Sequence, residues 1–216
     1  MSELPTNIHV INLDSATERW ASVEASHALH LADSGIQLVR HRAMSAAEAK
    51  EARIAGRCTW PEKGCYISHL RCLEAQANKQ ETAWIAEDDV MFDSNTVAIL
   101  QAALQIAGNL HWDVIFTNVG LGAPLAAFGS FPSTNKLNGD AVALTDLRGA
   151  AYYGAYSYLI NPKSVEKLFG SIRAIGAIDT PIDILLKRLC FSGRIAVFST
   201  TPFSSSLSGA PSQIQI

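Results

Sequence analysis

The sequence predicts an α/β sandwich with a largely parallel central sheet. Two observations carry that expectation. Short β-rich runs alternate along the chain with runs of helical apolar spacing, and the first strand leads directly into a helix start. The composition agrees: of 216 residues, 48% are hydrophobic and 17% charged, which excludes a disordered or solvating chain. At about 150 residues per domain, the length predicts one domain over residues 1–200, with a Ser-rich tail over 201–216 that has no charge.

Residues 7–13 (NIHVINL) form the first expected strand. Ser15 with Glu18 three residues later has the capping-box pattern, so a helix is expected from 16 toward 31. Asp33, Ser34 and Gly35 turn the chain into a second strand, 36–40, which completes a βαβ-like opening. Ser45 and Glu48 repeat the capping-box pattern, and Gly64 is expected to open a further helix through about residue 78. A strand over 82–86 ends in Glu87, Asp88 and Asp89, followed by a helix over 97–107 and a strand over 113–117. Residues 120–149 are rich in Gly, Pro, Ser and Asn and read as a long loop containing a hairpin. A strand over 151–160 follows. Asn161 with Pro162, and Thr180 with Pro181, then start helices, and 194–198 is the last strand.

Several classes are set aside by simple counts. Seventeen basic against 20 acidic residues give a net charge of -3, with no basic run, so nucleic acid is not an expected partner. The uncharged stretches 94–112 and 114–135 are interrupted by polar residues or by Gly and Pro, unlike a span of about 20 apolar residues. The first residues show no basic region followed by an apolar one, so the cytosol is the expected compartment. Four cysteines in a chain able to build its own core are expected to be free thiols. Cys65, His69 and Cys72 share a helix face, but a seven-residue separation of about 10 Å is too long for two thiolates on one ion. Packing is the simpler role for both sulfurs.

The strongest chemical feature is the triplet Glu87, Asp88, Asp89 at the end of an apolar strand. Three adjacent acids are expected about 0.17 times by chance in such a chain, so position rather than mere occurrence gives the triplet weight. Carboxylates so close repel one another unless a cation or solvent compensates them, and oxygen donors suit Mg2+ or Mn2+. A solvated turn is the alternative. Asn12, Asp14 and Arg19 lie at the other strand-to-helix turn and could receive phosphate, or merely cap. Ser68 and His69 could bind phosphate or move a proton, or simply pack. Asp179 and Asp183 are candidate bases, although Thr180 with Asp183 also makes a capping-box variant. Tyr152, Tyr153, Tyr156 and Tyr158 could stack on a sugar or fill a strand face, and alternation favours both duties.

Five segments in order resemble glycosyltransferase family 25, the bacterial lipooligosaccharide and lipopolysaccharide galactosyltransferases and their collagen-modifying relatives. They are IHVINLDSATERW with Asn12 and Arg19, GCYISHLRCLEAQ with Gly64, Ser68 and His69, WIAEDDVMF with the triplet, GAYSYLINPKSVEKLF with Gly154 and Tyr158, and TPIDILL with Asp183. The resemblance implies a GT-A type, Rossmann-like fold. It also implies transfer of a hexose, typically galactose, from a UDP-sugar donor to a glycan acceptor such as lipopolysaccharide core. Asp88 and Asp89 would hold Mn2+ (or Mg2+) with Glu87 in support, while Asn12, Arg19, Arg42, Ser68, His69, Gly154 and Tyr158 would lie on the substrate side. The family's Asp-Gly turn is absent from Arg42, Ala43, Met44 and Ser45. The mechanism expected is inverting, with Asp183 as base and Asp179 as its rival, in the cytoplasm and peripheral to the inner membrane if the acceptor is lipid-linked. A sugar-nucleotide or glycan binding module without turnover is the alternative function. A metal-dependent nucleotidyltransferase or hydrolase would need a second carboxylate cluster and a Gly-rich loop with Lys, and neither is present.

Overall fold

Side-chain alternation decides the layering. In β3 (Ala83–Glu87), Ala83 and Ile85 enter one core while Trp84 and Ala86 enter another, so both faces of the strand are buried. β1 (Asn7–Asn12) behaves likewise, with Ile8 and Val10 on one side and Ile11 on the other. Strands of this kind must lie between two helical layers. In this computed structural model, which describes residues 4–122, 129–137 and 140–209, they do. One layer holds α1 (Thr17–His30) and α4 (Thr96–Ala107). The other holds α3 (Trp60–Gln76), α5 (Val165–Arg173) and α6 (Ile182–Phe191).

The main sheet also contains β2 (Gln37–Arg42), β5 (Val114–Leu121), β6 (Ser130–Leu137), β7 (Asp140–Asp146), β8 (Tyr152–Ile160) and β9 (Val197–Thr201), in the order β2-β1-β3-β8-β5-β9-β7-β6. Six of the eight strands run in one direction. β8 is inserted antiparallel between β3 and β5, and β7 runs against β9 and β6, so the sheet is mixed at its neighbours although mostly parallel in direction. The antiparallel insertion matters. It brings the start of β8 to the rim where β1, β2 and β3 end.

The sequence expectations hold for most elements. The capping box of Ser45 and Glu48 forms at α2 (Ala46–Glu51), and Asn161 caps a short 3-10 turn, Pro162–Ser164, before α5. The 120–149 region contains the hairpin, but its described part is largely strand, β5 extending to Leu121 and β6 pairing with β7. Residues 123–128 and 138–139 of that expected loop lie outside the described residues.

Three helix starts differ. The turn closed by the Ala16 N–H on the Leu13 carbonyl makes Ala16 the cap of α1, so Ser15 falls one residue too early to cap it. α3 begins before Gly64, through a capping box of Thr59 and Glu62 with Pro61 in the first turn. Gly64 serves close approach instead: a Cβ there would lie 2.5 Å from the Met44 carbonyl oxygen. Finally, Pro181 caps α6 and the box of Thr180 with Asp183 does not form, because Asp183 accepts from the Gly154 N–H and Thr180 from Arg188.

The last strand starts at Val197, three residues later than expected, because residues 192–196 complete the turn out of α6. The Ser-rich segment beyond it is folded as far as Gly209. β10 (Ser206–Leu207) pairs with β4 (Val90–Met91), Ser204 and Ser205 are buried, and the Ser208 N–H donates to the Asp89 carbonyl at 2.8 Å. Residues 210–216 lie outside the described residues. No helix among the described residues is long and apolar enough to cross a membrane.

Candidate active site

The ends of β1, β2 and β3, the start of β8 and the first turn of α6 enclose a cavity of about 560 Å³. Ligand sites in open α/β sheets lie at this carboxyl edge. Arg19, Ser68, His69, Glu87, Asp88, Asp89, Gly154 and Asp183 all line it. These residues are scattered over 165 positions of the sequence and meet because consecutive parallel strands end on one rim.

The acidic triplet is asymmetric. Asp88 is buried and fully engaged: Asn12 Nδ2 donates to Oδ2 at 2.7 Å, and Arg19 Nη1 pairs with Oδ1. Asn12 is itself held by Arg40, whose Nε donates to Oδ1 at 2.7 Å, and donates to the Ala16 carbonyl at 3.1 Å. Burial pushes the Asp88 carboxyl up, against the pull of Asn12 and Arg19. From other side chains Asp89 has a long contact to Arg19 Nη2, at 3.4 Å, and its buried Oδ1 has no partner. Burial first, and the neighbouring Glu87 charge second, raise the Asp89 carboxyl to about 6. An unpartnered buried carboxylate oxygen facing a cavity is the mark of a group waiting for a cation or a proton.

Glu87 turns toward α3. Its Oε1 lies 3.3 Å from His69 Nε2 and 4.0 Å from Cys65 Sγ. His69 is fully buried, and its Nδ1 bonds the Tyr158 hydroxyl at 2.8 Å. Tyr158 therefore stands behind the cavity wall and reaches it only through His69. Burial pushes the Cys65 thiol well up. Ser68 spends its hydroxyl on structure, donating to the Gly64 carbonyl at 2.7 Å and accepting from the Met44 N–H at 2.8 Å, which fastens α3 to the segment after β2.

Across the cavity, the Gly154 N–H donates to Asp183 Oδ2 at 2.7 Å. Gly154 has φ +77°, and a Cβ there would strike the Tyr156 ring at 2.4 Å, so only glycine lets β8 and that ring come together. The four tyrosines share both duties, but not by simple alternation, because β8 is irregular against β5: Tyr152 and Tyr158 fill the core, while Tyr153 and Tyr156 line the cavity.

Four expected residues are not part of the lining: Asn12 and Tyr158 stand behind it, holding Asp88 and His69, and Arg42 and Asp179 are engaged elsewhere. Arg42 is half exposed and is committed to Asp14 at 2.7 Å and Glu48 at 2.6 Å. Asp179 accepts from the Arg57 N–H at 2.7 Å and ties two loops together outside the cavity lining. Arg40 is the residue that sequence reasoning missed, and Cys65 is the one it weighed and assigned to packing. The parallel register that sets Arg40 beside Val10, two residues before the β1 terminus, was the available signal for the first. For Cys65, it was the i, i+4 spacing to His69.

Residues 5–115 match the model described as glycosyltransferase family 25 (LPS biosynthesis protein). The chain belongs to glycosyltransferase family 25. Membership assigns it to glycosyl transfer in lipopolysaccharide biosynthesis, with a sugar donor and a glycan acceptor as its substrates. The matched segment of this glycosyltransferase contains Asn12, Arg19, Ser68, His69 and the whole acidic triplet, whereas Gly154, Tyr158, Asp179 and Asp183 lie beyond it. A comparison with curated proteins finds no significant match.

Proposed function

We propose that this family 25 member transfers a hexose, galactose in the first instance, from a UDP-sugar to a glycan acceptor such as lipopolysaccharide core, with inversion at the anomeric carbon. The observation that carries this reading is the facing of Asp89, with its unpartnered buried oxygen, and Asp183 around one cavity on a family 25 chain. The fold read this way is of the GT-A type.

The donor chemistry of the triplet fits a hard divalent cation, Mn2+ or Mg2+. Asp89 is the carboxylate better placed to hold it, since both Asp88 oxygens already accept from Asn12 and Arg19 and Glu87 turns toward His69. When bound, such an ion neutralises negative charge that develops on the leaving diphosphate. The chain's own residues do the rest. Arg19 keeps Asp88 and Asp89 in place, and Asn12 and Arg40 brace that arrangement from β1 and β2. Asp183, oriented by the Gly154 N–H, takes the proton of the acceptor hydroxyl. As it does so, the hydroxyl oxygen bonds to the anomeric carbon and that carbon's bond to the diphosphate oxygen breaks, releasing UDP. Asp179 has no place in this step. Tyr153 and Tyr156 offer ring faces to a sugar. A lipid-linked acceptor would place the work at the cytoplasmic face of the inner membrane, with the protein peripheral to it.

The test is thermal stability against UDP and a panel of UDP-sugars, with and without Mn2+, followed by product analysis on glycan acceptors. A ligand at about 100 times its Kd adds roughly 2.7 kcal/mol, or about 5–10 °C for a chain of this size. A Mn2+-dependent shift with one UDP-sugar and a glycosylated product supports the proposal. A shift with no product on any acceptor identifies a binding module instead, and no shift with any uridine nucleotide refutes the donor assignment.

A further inference from the structure

We propose that Cys65, His69 and Glu87 form a binding site for a zinc-class divalent cation, separate from the all-oxygen site assigned to Asp89. Cys65 and His69 lie one turn apart on α3, and Glu87 ends β3 below them. Their ligand atoms, Sγ, Nε2 and a carboxylate oxygen, all lie within 4.8 Å of one another. Zinc bonds of about 2.3 Å to sulfur and 2.0–2.2 Å to nitrogen and oxygen, at tetrahedral angles, separate ligand atoms by roughly 3.3–3.6 Å. The observed 3.3 Å from nitrogen to oxygen and 4.0 Å from sulfur to oxygen need only a few tenths of an ångström of adjustment.

The surroundings support the ligand set. His69 is gripped from behind: its Nδ1 bonds the Tyr158 hydroxyl at 2.8 Å and its ring stacks on that of Tyr158, 5.8 Å between centres, so Nε2 is aimed at Glu87. A phenol hydroxyl can accept from Nδ1–H, which leaves the Nε2 lone pair for a metal, and such outer partners are how ligating histidines are oriented. A hydrogen bond between His69 and Glu87 would account for two of the three groups. The Cys65 thiol adds a long hydrogen bond of 4.0 Å to the same oxygen, whose proton a cation would displace. All three residues line the cavity, so a fourth coordination position opens onto it, the arrangement of zinc sites that receive an exogenous ligand. A thiolate and an imidazole together favour zinc-class ions over Mn2+ or Mg2+, which prefer oxygen. Cys72, one turn further along α3, is fully buried in the core and takes no part.

The experiment is a titration of the full chain with Co2+ as the spectroscopic probe, after chelator treatment and exchange into a phosphine-reduced buffer. The expected result is one Co2+ per chain with a thiolate-to-cobalt charge-transfer band, bleached by one equivalent of Zn2+ but not by excess Mn2+. Cys65→Ser should remove the band while Cys58→Ser keeps it, with circular dichroism confirming that both fold. Tyr158→Phe should keep the band but weaken binding by about 10–100-fold. Asp89→Asn should leave band and affinity unchanged. No charge-transfer band in the wild-type chain, a band that survives Cys65→Ser, or one lost in Asp89→Asn would each overturn the proposal. The readout is metal absorption, so it stands or falls independently of sugar transfer.

Discussion

Asp89 and Asp113 are both buried aspartates, one at each end of the sheet, and their surroundings could hardly differ more. Asp113, just before β5, accepts from the Ser164 hydroxyl at 2.6 Å, the Ala196 N–H at 2.7 Å and Lys167 Nζ at 3.1 Å. Burial alone would raise its carboxyl, but these donors outweigh burial and hold it below the usual range. Asp89 has one long contact and an orphaned oxygen, and is raised to about 6. The first is a closed structural joint. The second is left open toward a cavity, which in the proposed reading keeps it for a ligand. Cavity size makes no such distinction: a hollow of about 490 Å³ at the Asp113 end of the sheet is nearly as large, yet Glu81 and Lys163 are the only charged residues lining it among those described.

Exchanging each aspartate breaks the comparison most directly. Asp89→Asn should reduce transfer to background while the chain stays folded. Asp113→Asn should leave turnover per folded molecule unchanged but cost about 2–4 kcal/mol, lowering Tm by roughly 5–15 °C. Steady-state kinetics on the folded fraction, with thermal melts, read both. Equal stability loss in the two variants would erase the distinction.

Asp183 and Asp179 form a second pair of this kind. Asp183→Asn retains an oxygen for the Gly154 N–H but cannot accept a proton, so kcat should fall by about 10²–10⁴-fold. Asp179→Asn should alter kcat by less than about threefold. The opposite ranking would move the base to the loop.

Proton linkage sharpens the first comparison. The folded-state value of Asp89 is raised, so the stability tied to its neutral form is complete below about pH 4 and is lost as pH rises through about 6. Asp89→Asn should therefore be the more stable chain at pH 7, with the difference vanishing near pH 4. For Asp113 the folded value is lowered, so its contribution persists above the usual carboxylate range and disappears only on stronger acidification. Denaturant melts from pH 3 to 7 distinguish the two signs.

The smallest expected effect belongs to a histidine. His9 is buried, with Nδ1 2.9 Å from His41 Nε2, and burial followed by the His41 and Lys79 charges lowers it to about 4. Its stability contribution is full above about pH 6.5 and declines toward pH 4, at no more than about 1.4 kcal/mol per pH unit. His9→Gln should flatten that slope. An unchanged pH dependence would mean that the pair accepts a proton without cost.

Much of this protein was determined by local chemistry and could be read along the chain. Apolar strands ending in polar turns, the capping box of Ser45 and Glu48, and the acid triplet after β3 all depend on residues a few positions apart. The Thr59 and Glu62 box depended on equally local residues but was masked by Gly64, whose reason is the Met44 carbonyl, 2.5 Å from where a Cβ would lie, rather than a helix start. What tertiary structure alone decided is partnership over long separations. Antiparallel insertion of β8 carried Gly154 to Asp183 and dissolved the expected capping box. Parallel register carried Arg40 to Asn12, and packing of α3 on β3 set Cys65 and His69 against Glu87. Charged groups reveal their roles only when their partners and burial are known, because both the desolvation cost and the donors that offset it come from distant parts of the chain. That is why adjacent Asp88 and Asp89, indistinguishable in sequence, end as a braced carboxylate and an open one.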